Sequence, residues 1–149
     1  MRKTPGPRGY AAIGLSSPKT HANVGAVLRA AGCFGAALVV ATGRRWTRSA
    51  TDASNAYLDL PLVHCNDLRD VAPFDCVPVA IELIEGAVPL PEYKHPDRAF
   101  YIFGPEDGDL GERTLSWCRD VVQIPTIGCL NLAATVNIVL YDRLLKRGR

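Results

Sequence analysis

Three short junctions carry the residues of this chain whose types and spacing could do chemistry. NVGAVLR over residues 23–29 offers an amide at Asn23 and a guanidinium at Arg29, and FGPEDGDL over residues 103–110 offers the carboxylate of Glu106. The third, IPTIGCLNLAATVNIVLYD over residues 124–142, has Asn131 and Asn137 as its strongly polar members. In each, glycine lets backbone approach a ligand beside groups able to hydrogen-bond it. Pro125 removes a backbone donor and Gly128 permits unusual dihedrals, so the third junction opens as a loop before an apolar run with helical spacing. Asn131 stands where that loop becomes helix. Its amide could cap the helix or present a donor and an acceptor to a ligand.

Other chemistries lack their carriers. The sequence has no GxGxxG fingerprint, no GxxxxGK[ST] loop and no GxSxG elbow. His21, His64 and His95 are scattered, and only His64 has a cysteine beside it, so no metal site is expected. The five cysteines, Cys33, Cys65, Cys76, Cys118 and Cys129, form no CxxC pair and read as reduced thiols buried in a core.

The elements that must position these groups alternate along the chain. Strands are expected over residues 11–15, 36–41, 62–64, 77–83, 99–103 and 121–124, and helices over 21–32, 51–58, 110–118 and 130–146, with a helical turn over 67–71. Thr20 or Asn23 caps the first helix and Gly32 stops it. Residues 85–98, with Pro89, Pro91 and Pro96, read as loop with one helical turn. The class is therefore α/β, with a mostly parallel sheet flanked by helices. Such sheets take ligands outside the carboxyl ends of their strands, where all three junctions fall.

A chain of 149 residues with 48% hydrophobic content is expected to form one domain. It has no apolar run of about eighteen residues and no signal-peptide core near its start, so a soluble cytoplasmic protein is expected. The net charge of +2 falls short of a nucleic-acid module. Its distribution is more telling. Basic residues gather at Arg2, Lys3, Arg8 and Lys19, at Arg44, Arg45 and Arg48, and at the C-terminus, while Glu106, Asp107, Asp109 and Glu112 collect acid. Such segregation could offer phosphates a positive face, or be an ordinary solvated surface.

Together the junctions resemble the SPOUT superfamily, specifically its TrmH (SpoU) branch of RNA ribose 2′-O-methyltransferases, in the compact form without an added RNA-binding domain. Asn23, Gly25 and Arg29 meet its N-x-G-x-x-x-R motif, Phe103 to Glu106 and Gly108 its FGPE-x-x-G motif, and Ile124, Pro125, Leu130, Asn131, Tyr141 and Asp142 its third. That third motif is short here, and Cys129 holds the place a serine usually takes.

The resemblance implies a single domain over residues 1–149 whose part from about residue 100 forms a C-terminal deep trefoil knot. It also implies S-adenosylmethionine bound in the knot, largely by main chain, at Gly104, Ile124, Cys129 and Leu130, with Ile81 at the end of a strand. It assigns catalysis to Arg29. A guanidinium is effectively always protonated, so Arg29 is expected to act as a fixed cation that stabilises the developing alkoxide and holds a neighbouring phosphate. Asn23 would fix Arg29 and the substrate, Glu106 would order the site, and Asn131 would link knot loop to substrate. Family members are homodimers, and Leu132, Val136, Val139, Leu140 and Leu144 cannot all face one sheet, so part of the last helix is expected to meet a partner. RNA, tRNA rather than rRNA, is expected at Arg8, Lys19, Arg44, Arg45 and Arg48. Two alternatives stand beside this reading: a flavodoxin-like nucleotide binder without catalysis, and a SPOUT protein that binds cofactor and RNA but has lost turnover.

Overall fold

The computed structural model describes residues 9–147; Arg8, expected above to contact RNA, lies outside them. Strands β1 (Tyr10–Leu15), β2 (Leu38–Ala41), β3 (Leu62–His64), β4 (Val77–Ile81), β5 (Val88–Pro89), β6 (Arg98–Phe103) and β7 (Asp120–Gln123) form one sheet in the order β3-β2-β1-β6-β4-β7-β5. Every pairing in it is parallel. A parallel sheet needs cover on both faces, and the period-two alternation of the strands supplies two apolar faces. Ile13, Leu15, Val79, Ile81, Tyr101 and Phe103 pack with Val24 and Val27 of helix α1 (His21–Cys33) and with apolar residues of a C-terminal helix. Ala12, Val40, Ala80, Phe100 and Ile102 pack on the other side, with Leu68 and Leu110. A short helix, α2 (Gly111–Leu115), and a long one, α3 (Leu132–Arg147), complete the fold.

Several expected elements end differently. Residues 51–58 form only a 3-10 turn, Ala56–Leu58, because the buried Asp52 carboxylate accepts from Ala56 N at 2.8 Å and Tyr57 N at 3.2 Å, fixing the chain in a local cap. The loop expected over 85–98 contains β5, whose Pro89 is tolerated on an edge strand. Thr20, not Asn23, caps α1, accepting from Asn23 N at 3.1 Å, and the helix runs past Gly32 to Cys33.

The residues expected to leave part of the closing helix for a partner are mostly taken up inside the chain, with Leu144 half-buried. Leu132, Val136, Val139 and Leu140 are all buried within the chain, because α3 packs across both α1 and the sheet. The apolar side chains it leaves exposed are Ile138, Tyr141 and Leu145.

A buried polar chain fastens α3 to the segment before β6. Arg143 Nη1 donates to Tyr101 Oη at 3.1 Å and to Pro96 O at 2.7 Å. His95 lies 2.6 Å from Tyr101 Oη through Nδ1 and 2.7 Å from Asp142 Oδ2 through Nε2. Every proton has an acceptor when Tyr101 donates to a neutral His95 and His95 donates to Asp142. Burial lowers the His95 pKa, against the pull of Asp142, which agrees with the neutral ring.

Candidate functional site

Because β6, β4 and β7 are neighbours and parallel, their C-terminal ends open side by side, and a cleft of about 700 Å³ including its mouth lies there. Ile81, Gly104, Ile124, Cys129 and Leu130, the five expected cofactor contacts, all line it. Three come from the loop after β7, whose turn is closed by Thr126 Oγ1 donating to Gly128 O at 2.7 Å. Gly128 does not have positive φ, contrary to the expectation of unusual dihedrals. A Cβ there would meet no atom within 4 Å, so the residue leaves open space at the cleft rather than relieving strain. Apolar walls at Leu83, Phe103 and Leu132 and bare main chain at Gly104 and Gly128 suit a ligand with a flat apolar part and several hydrogen-bonding groups, as S-adenosylmethionine is.

Glu106 borders the same cleft and gathers the first motif to it. Its Oε1 accepts from Asn23 Nδ2 at 2.7 Å and its Oε2 from Lys19 N at 2.9 Å. Lys19 Nζ pairs with Asp107 Oδ2 at 2.6 Å, and that bond holds the Asp107 carboxyl below its usual range. Loop and loop are thus tied across the sheet by both main chain and side chains.

Of the four expected catalytic residues, Glu106 lines this cleft, Asn23 is tied to it through that carboxylate without lining it, and Arg29 and Asn131 are placed elsewhere. Arg29 does not line this cleft; it is exposed and borders a second one, with Ala26, Ala30, Cys33, Thr51 and Asn137. Asn23 and Arg29 are six positions apart, so they point to different sides of α1. Helix α3 borders both clefts, through Leu132 and Thr135 in the first and Asn137 in the second. Asn131 acts as the N-cap of α3, its Oδ1 accepting from Ala134 N at 3.2 Å, and it is absent from the cleft wall.

The basic residues lie on the segment after β2. Arg44 stacks 4.9 Å from the Trp46 ring centre and donates to Lys19 O; Arg48 donates to Asn55 Oδ1 at 3.0 Å and stacks 5.6 Å from Tyr57. Arg45 is exposed. The thiols differ from expectation: all five are free, but Cys33 and Cys129 are exposed and the other three half-buried, since Cys33 ends a helix and Cys129 sits in the cleft loop. Sequence reasoning missed Glu82, Leu83, Thr126 and Thr135 in the cleft. Thr126, next to Pro125 in a loop, is a recognisable turn former; Glu82 and Leu83 fall in the strand expected over 77–83, which stops at Ile81.

Parallel α/β sheets that bind ligands at the carboxyl edge of the strands are the class to which this site belongs. The chain is a member of the SpoU rRNA methylase family, which matches residues 11–141. No curated protein sequence matches it. Among solved structures it is similar to the SpoU methyltransferase AviRb from Streptomyces viridochromogenes in complex with AdoMet, at TM-score 0.78 and 18% identity, over 94% of this chain and 61% of that one. It therefore spans about three fifths of that protein's length. It is also similar to the A. aeolicus TrmH/SpoU tRNA modifying enzyme, at TM-score 0.82 and 16% identity over 92% of this chain and 75% of that one. A third similar structure, concerned with the 2-OH methylation of C/U34 on tRNA, has TM-score 0.81 and 22% identity over 97% of this chain and 100% of that one. Family membership removes the flavodoxin-like alternative.

Proposed function

We propose that this protein is an S-adenosylmethionine-dependent methyltransferase acting on a ribose 2′-hydroxyl of RNA, with tRNA as the substrate. The observation that carries this is the convergence of Ile81, Gly104, Ile124, Cys129 and Leu130 on one cleft that is also lined by Glu106, to which Asn23 is hydrogen-bonded. The tRNA-directed proteins of similar fold support the choice of RNA.

When bound, the sulfonium donor supplies an electrophilic methyl group, which goes to the ribose oxygen while the hydroxyl proton leaves to solvent. The chain's own residues do the rest. Main chain at Gly104 and Gly128 holds the donor, and apolar walls exclude water from it. Asn23, held by Glu106, orients the substrate. Arg29 is a permanent cation for the developing alkoxide and a nearby phosphate, and it cannot be the base.

Arg29 opens on a cleft of its own, beside Asn137. A homodimer formed through Ile138, Tyr141 and Leu145 would set that cleft beside the partner's donor site, and Lys19, Arg44, Arg45 and Arg48 would then hold RNA across the pair. We assign one domain to residues 1–149 and a trefoil knot to the part after about residue 100. The sheet order favours the knot: β7 lies between β4 and β5, which are joined only by residues 82–87, so the end of the chain enters a gap that this connection already spans. Among the described residues no helix is long and apolar enough to cross a membrane. The free thiols suit a reducing compartment, and we place the protein in the cytoplasm.

Tritiated methyl transfer into tRNA, followed by mapping of the modified nucleotide, tests the reading. Transfer to a 2′-oxygen by wild type, lost in Arg29→Ala and not restored in Arg29→Lys, is expected. Cofactor binding by calorimetry without transfer would leave the alternative that has lost turnover, and wild-type rates in Arg29→Ala would remove the role given to that residue.

A further inference from the structure

We infer that Glu82 makes the cleft discriminate between the methyl donor and its spent form, by placing a carboxylate with one unengaged oxygen on the wall of the site that takes the positively charged donor. The inference rests on the cleft being the S-adenosylmethionine site. Glu82 immediately follows the last residue of β4 and is half-buried. Two neighbouring elements fix it. Its backbone N–H donates to Val122 O at 3.0 Å, and its Oε2 accepts from Leu110 N at 2.9 Å. Its Oε1 has no hydrogen-bond or ion-pair partner among the described residues.

The charge balance of the cleft gives this oxygen its consequence. Among the described residues two acids line the cleft, Glu82 and Glu106, and no Lys, Arg or His does. Glu106 already accepts one hydrogen bond at each oxygen, from Asn23 Nδ2 and from Lys19 N. Glu82 is thus the lining carboxylate that keeps one oxygen without a protein donor among the described residues. S-Adenosylmethionine carries one more positive charge than S-adenosylhomocysteine, because methyl loss converts a sulfonium to a neutral thioether. In a cleft partly shielded from water, a fixed anion distinguishes ligands that differ by one charge far better than it would in bulk solvent. The attraction present before transfer is absent afterwards, so the spent form leaves readily.

Calorimetry on the intact protein tests this, with S-adenosylmethionine and S-adenosylhomocysteine as probes. Glu82→Gln removes the charge while its amide oxygen can still accept from Leu110 N, and Glu82→Asp keeps the charge. We expect Glu82→Gln to weaken donor binding about tenfold, the scale of one charge–charge interaction at intermediate dielectric, and product binding by less than about twofold. Glu82→Asp should retain most of the preference. Equal weakening of both ligands in Glu82→Gln, or no change in either, overturns the inference while leaving the cleft as a donor site. A wild-type protein that binds neither ligand removes the assigned cofactor, and the inference with it.

Discussion

Asn23 Nδ2 donates to Glu106 Oε1 at 2.7 Å, a contact that joins residues 83 positions apart. It brings the start of α1 to the loop after β6. With Lys19 N on the other oxygen, it leaves Glu106 an orienting group held at both oxygens.

Replacing Asn23 should therefore disturb geometry more than chemistry. A hydrogen bond to a charged group contributes about 1.5–3 kcal/mol, so Asn23→Ala should lower methyl transfer about tenfold or more. Asn23→Asp should be worse, since it sets a second carboxylate against Glu106. Initial rates at saturating donor check the order; an Asn23→Asp rate above that of Asn23→Ala would contradict it.

Gly25 is buried against the segment after β2, and a Cβ there would lie 2.3 Å from Thr51 Oγ1 and 2.9 Å from Ser49 Cβ. Overpacking of this kind costs about 1–3 kcal/mol, so Gly25→Ala should shift the urea midpoint down by a corresponding amount. Adding Thr51→Ala should recover part of the loss, because the nearest clash then disappears while the Ser49 contact persists.

His95 gives stability a pH dependence near neutrality. Burial lowers its pKa from the ordinary 6.5, with Asp142 opposing and Lys146 and Arg143 reinforcing the effect. A lowered folded-state pKa means that the unfolded chain takes the proton first as pH falls. The contribution is thus complete above pH 6.5 and is lost as pH drops through the lower folded value. Urea unfolding between about pH 5 and 8 should show this slope in wild type and lack it in His95→Gln.

Thiol labelling should divide the cysteines by exposure. Cys33 and Cys129 are exposed and should react with a disulfide reagent in the fast phase, whereas burial pushes Cys118 up to about 11 and leaves little thiolate near neutral pH. S-Adenosylmethionine should protect Cys129, which lines the cleft, and not Cys33. Equal protection of both would count against the cleft as the donor site.

Much of this was legible in the chain itself. Short continuous apolar runs marked the interior strands, and glycine-bearing junctions placed after them marked where a ligand would meet main chain, because strand direction and residue order are local properties. Capping was legible in part: Asn131 was readable as a cap because a short amide at the start of an apolar helix needs no distant partner. The exposed stripe of α3 was not legible. Whether Leu140 or Ile138 faces solvent depends on where α1 and the sheet lie, and the helix alone offers apolar residues on both sides.

The sequence by itself determined an alternating α/β order and the chemical identity of the junction residues. Only tertiary structure decided that β6, β4 and β7 stand side by side, that Glu106 reaches Asn23 and Lys19, and that Arg29 faces a different cleft from the donor contacts. It also freed one carboxylate oxygen on Glu82, which the sequence had assigned to a strand. The reason is physical: spacing fixes which side of a helix or strand a residue occupies, whereas strand order and long-range hydrogen bonds depend on how separate elements pack.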